Sequence, residues 1–61
     1  MMSDNEIKKV SIEEFSRLQD YMMVCEKDSE VYKMMKKRYK ELKVILNSMG
    51  VNLMEIDIIN E

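Results

Sequence analysis

Five lysines, Lys33, Lys36, Lys37, Lys40 and Lys43, follow one another at steps of three, one, three and three residues in a stretch without glycine or proline. On a helix they share one face, with Arg38 beside it and only Glu30 and Glu41 nearby to offset them. Such a stripe can be a solvated surface, partly paired with acids of a neighbouring helix or a second copy. It can also touch phosphates of a nucleic acid, or an acidic protein face. The chain is acidic overall, with net charge −2, and no aromatics interleave the lysines on that face. Both features favour an acidic protein over nucleic acid, and Lys33, Lys37 and Lys40 are the expected contacts.

Other chemistry has little to work with. Histidine is absent, which removes the common base near neutral pH and any Ser-His or Cys-His nucleophile. One glycine cannot build a phosphate loop, and one cysteine without histidine gives no zinc set. Cys25 falls on the apolar stripe of a helix and reads as an inert packed thiol. Glu26, Asp28 and Glu30 lack the turn glycine and spacing of a calcium loop. The residues therefore predict no enzyme, no cofactor, no metal and no small-molecule substrate.

Positioning these groups falls to a long helix over 29–49. Tyr32, Met35, Tyr39, Leu42, Leu46 and Met49 alternate at gaps of three and four, an apolar seam of about three heptads. A shorter first helix is predicted over 12–26. Ser11 and Glu14 form a capping box there, Val10 and Phe15 a staple, and Phe15, Leu18, Met22 and Cys25 the inner stripe. Residues 1–9 read as a weakly ordered lead-in. Asp28 or Ser29 can cap the second helix after a short break, which favours an antiparallel hairpin over one continuous helix. Gly50 suits a left-handed C-cap with Leu46 against Val51, and Asn52 with Glu55 opens a short third helix over 53–59. Alternation of Met54, Ile56 and Ile58 with acids leaves a strand as the competing reading.

Sixty-one residues make one small domain of class all-α, with no disulfide or zinc to staple it. A hairpin this small is expected to leave its seam uncovered. Phe15, Leu18, Met22, Tyr32, Met35, Tyr39, Leu42, Leu46 and Met49 are the expected self-association seam, pairing two copies into a four-helix bundle at micromolar concentration. Eight methionines supply adaptable apolar surface for another protein. No apolar run reaches membrane-spanning length, and a polar, acidic start with a reduced thiol points to the cytoplasm. The expected function is a protein-interaction or regulatory module acting by helix docking. The alternatives are a nucleic-acid accessory protein and a modulator of a phosphorylated regulator.

The last alternative comes from a resemblance. The size and hairpin plan resemble the small aspartyl-phosphate phosphatases of spore-forming bacteria, which carry Ser-Gln-Glu-Leu-Asp on their second helix. Tyr39-Lys40-Glu41-Leu42-Lys43 keeps the Glu and Leu and changes the first and last positions, so no activity carries over.

Overall fold

The computed structural model describes residues 3–61, and every regular element in them is a helix. Helix α1 spans Asp4–Val24, α2 spans Glu30–Ser48 and α3 spans Leu53–Ile56. The first two pack antiparallel, and residues 51–61 fold back across them.

Helix α1 begins a full two turns before the predicted start, and at 21 residues it is longer than the 19-residue α2. Ser3, not Ser11, is its N-cap: the Ser3 hydroxyl accepts from Glu6 N at 3.2 Å. Ser3-Asp4-Asn5-Glu6 is itself a Ser-x-x-Glu start signal. Nothing between it and Ser11 breaks a helix, so the earlier signal nucleates and Ser11 sits mid-helix. The expected lead-in over 1–9 is thus helical from Asp4; its first two residues lie outside the described ones. Glu14 does not reach back to a cap. It crosses to α2 and meets Arg38 at 2.7 and 3.1 Å. The helix ends at Val24 rather than Glu26, with Cys25 as the C-cap.

Ser29 caps α2 by accepting from Tyr32 N at 3.1 Å, and its own hydroxyl donates to Glu26 O across the turn. At the other end Gly50 has φ +80°, a left-handed conformation that side chains with a Cβ adopt at a cost of about 1–2 kcal/mol. Val51 N donates to Leu46 O and Gly50 N to Asn47 O, the paired bonds of a Schellman cap. That cap turns the chain back over the hairpin. No atom outside the neighbouring residues lies within 4 Å of the position a Cβ would take at Gly50. The glycine is therefore needed for backbone conformation and not for space.

The core consists of Phe15, Met22, Tyr32, Tyr39, Leu42 and Leu46, with Gln19 buried among them. Phe15 and Tyr39 stack, ring centroids 5.3 Å apart and planes 11° from parallel. Val51, Leu53, Ile56 and Ile59 close over this cluster from the C-terminal side. Six of the nine seam residues are thus buried inside one chain, and Leu18, Met35 and Met49 are half-buried. The seam expected to await a second copy is covered within the chain, by the packing of the two helices on each other and by residues 51–61. The inner stripe of α1 also shifts: Gln19 takes the central place given to Leu18.

The third helix stops at Ile56 instead of Ile59, for a tertiary reason. Asp57 N still donates to Leu53 O at 2.8 Å, but the next amides leave the helical pattern. Ile58 N and Ile59 N both donate to Gln19 Oε1, at 2.6 and 2.9 Å, and Gln19 Nε2 donates to Ile56 O at 2.8 Å. One fully buried amide side chain therefore satisfies three backbone groups of the closing segment. No strand forms among the described residues.

Candidate functional site

Helix α2 carries the lysines, and the closing segment divides them into two sets. Lys36 and Lys43 lie on the flank where residues 57–61 pass. Lys43 Nζ is 3.0 Å from Asp57 Oδ2 and donates to Glu61 O at 2.9 Å, while Lys36 Nζ meets Glu61 Oε2 at 3.2 Å. Lys43 also lies 5.1 Å from the centroid of the Tyr39 ring. These two lysines have a structural task. Lys37 and Lys40 are exposed and have no ion-pair partner among the described residues, and Lys33 has only Glu30, one turn back at 3.5 Å. Lys33, Lys36, Lys37 and Lys40 line a shallow open groove of about 370 Å³.

The polar cluster under the closing segment is fully paired. Tyr39 OH donates to Asp57 Oδ1 at 2.5 Å and accepts from Glu61 N at 3.1 Å. Asn60 N donates to the same Asp57 oxygen at 2.8 Å, and Tyr32 OH donates to Glu61 Oε2 at 3.2 Å. Asn60, at φ 58°, has the left-handed conformation that asparagine tolerates best after glycine. Burial raises the Asp57 pKa, but hydrogen bonds from Tyr39, Asn60 and Lys43 outweigh it and hold the carboxyl below its ordinary value. Burial and the same hydrogen bond push the Tyr39 phenol upward. Hydrogen bonding to Asp57 raises Lys43, and hydrogen bonding from Lys36 lowers Glu61. Each shift favours the protonation state that holds the segment down.

The arrangement is that of a clasp. Every buried side-chain nitrogen or oxygen among the described residues has a partner, so none is left aimed at a ligand. No group of three histidine, cysteine or acidic side chains among them is placed to hold a metal. No helix among them is long and apolar enough to cross a membrane. Cys25 is half-buried at the end of α1, packed beside the core. In the segment set against the phosphatase motif, Tyr39 and Leu42 are buried and Lys43 is bound to Asp57, which leaves only Lys40 and Glu41 exposed.

Sequence reasoning missed Gln19 and Asp57, the two residues that fasten the segment. Gln19 had a legible signal, since it lies at helical spacing between Phe15 and Met22, where an apolar residue is expected. Asp57 had none, because its partners Tyr39 and Lys43 are remote in sequence. The chain matches no protein-family model, no curated protein and no solved structure.

Proposed function

We propose that this chain is a small protein-interaction or regulatory module that acts by docking helices and by self-association, with no catalytic chemistry of its own. One observation carries this reading: the core is closed from within, yet eleven large apolar side chains remain exposed among the described residues of so short a chain. Exposed apolar residues gathered into one patch mark an interaction surface. The lone thiol suits a reducing compartment such as the cytoplasm. Sedimentation equilibrium tests the reading: reversible association into dimers is expected at micromolar concentration. A folded monomer throughout the accessible range would contradict it.

The four-lysine groove favours a second contact, with an acidic protein, through Lys33, Lys37 and Lys40. A triple Lys→Gln variant should fold normally, because exposed ion pairs contribute only ~0–1 kcal/mol each. The variant should lose retention of an acidic peptide that the wild type holds. Oligonucleotides titrated at two salt concentrations provide the contrast. Tight binding that falls steeply with salt, and is lost in the variant, would assign the groove to nucleic acid instead.

A further inference from the structure

Seven of these exposed apolar residues fall on two lines. On α1, Ile7, Val10, Tyr21 and Val24 fall with Glu14 and Arg17 on one line of alternating three- and four-residue gaps. On α2, Val31, Met34 and Ile45 fall with Arg38 and Glu41 on a line of the same spacing. At 100° per residue both lines lie on the same flank of the hairpin, which the Glu14–Arg38 bridge crosses. Gln19, Lys36 and Lys43 mark the opposite flank, where the closing segment lies. One broad side of the two-helix layer is covered by residues 51–61, and the other carries an uncovered stripe on each helix.

Antiparallel packing divides that side into three zones. Ile7 and Val10 lie towards Ile45 at one end, and Tyr21 and Val24 lie towards Val31 and Met34 at the turn end. Between them are Glu14, the middle residue of α1, followed by Arg17, and Arg38, one residue from the middle of α2, followed by Glu41. Glu14 and Arg38 are both about half exposed, so each keeps bonding capacity beyond the other. We infer that this face is the interface with a second copy of the chain, related by a two-fold axis parallel to the helices. The inference rests on the self-association proposed above and names the surface responsible.

The charge pattern selects both the occupant and the axis. A two-fold parallel to the helices lays α1 of one copy over α2 of the other at the same height. Glu14 then faces the second copy's arginine and Arg38 its glutamate, so signs alternate around a four-charge ring. Each apolar end meets the same apolar end, and every helix has antiparallel neighbours, as in an up-down-up-down four-helix bundle. A two-fold across the helices would instead set Glu14 on its own symmetry mate, and Arg38 likewise. Like charges facing each other there would repel. The face carries balanced charge at its centre, which suits a copy of itself better than an acidic partner.

Two single variants test this without touching the core. Glu14→Lys tips the four central charges of each copy, at positions 14, 17, 38 and 41, to net positive, and Arg38→Glu tips them to net negative. Each is expected to remain helical and to weaken its own association about a hundredfold in sedimentation equilibrium. Mixed in equal amounts, they should form a one-to-one heterodimer of near wild-type affinity. Val44→Asp, on an exposed residue outside the face, should associate as the wild type does. Unchanged association of both charge variants would overturn the assignment, as would failure of the mixture to pair or equal loss in Val44→Asp. A wild type that never associates would refute the underlying proposal itself, which separates the two failures.

Discussion

Replacing Gln19 by Leu should lower the stability of the chain by about 3 kcal/mol, enough to leave much of it unfolded at room temperature. Leucine is close to glutamine in size and suits a helix, so neither a cavity nor poor helix propensity enters. What is lost is the partner of Ile56 O, Ile58 N and Ile59 N. Leaving a buried backbone group unpaired costs about 1–3 kcal/mol, and the chain can limit that penalty only by lifting residues 57–61 into water. Lifting them uncovers the apolar cluster under Ile56 and Ile59. Gln19→Glu should fare no better at neutral pH, because a carboxylate would accept from the two amides but oppose the Ile56 carbonyl. Urea unfolding gives the measurement: the midpoint should fall with little change in slope. A stability within ~0.5 kcal/mol of wild type would mean that the Gln19 hydrogen bonds contribute nothing to the fold.

Stability should also fall towards acid, with Asp57 as a principal cause. Its carboxyl is held below the ordinary value in the folded chain, so it takes up protons less readily there than in the unfolded chain. A depressed folded pKa gives stability that is fully present above the unfolded value, near pH 4, and lost as pH falls through the folded value. Glu61 and Glu14 are lowered as well and add to the same acid limb. Asp57→Asn should remove about 2 kcal/mol at neutral pH, the usual worth of hydrogen bonds to a charged group. Wild type and variant should converge once the pH has fallen through the lowered folded pKa of Asp57, where the wild type has lost the charge too. Tyr39 and Tyr32 act at the other end. Their raised pKa values keep the phenols protonated, and that contribution disappears as pH rises through the folded values above about pH 10. Parallel acid limbs in wild type and Asp57→Asn would show that the clasp is not what titrates.

The helical class was legible because α2 writes its seam plainly, from Tyr32 to Leu46, and because Ser29 and Gly50 punctuate it. Both are local signals, a hydroxyl three residues before an amide and a glycine at a left-handed position. The start of α1 was misplaced because two Ser-x-x-Glu signals compete, and the stronger apolar pattern follows the second. The helix nonetheless begins at the first, since propagating an unbroken helix backwards from a packed core adds one hydrogen bond per residue. The end of α3 was hidden for the opposite reason. Ile56 to Ile59 read as helix by local pattern, but Gln19, about forty residues earlier, takes their backbone bonds. The lysine stripe was visible as a stripe; its division into a clasp and a groove depends on where residues 57–61 pass. The exposed line on α1 was hardest to read, because Glu14 and Arg17 interrupt it.

The central claim is that the chain closes its own core and so leaves its outer helical faces for docking. Amide hydrogen exchange at Ile58 and Ile59, measured in the wild type diluted until it is monomeric, tests this most directly. Both amides donate to a fully buried acceptor, so they should exchange nearly as slowly as those of Leu42 and Leu46 in the centre of α2. Exchange at the rate of an unstructured peptide, with α2 still protected, would contradict the claim and return the seam to a second chain.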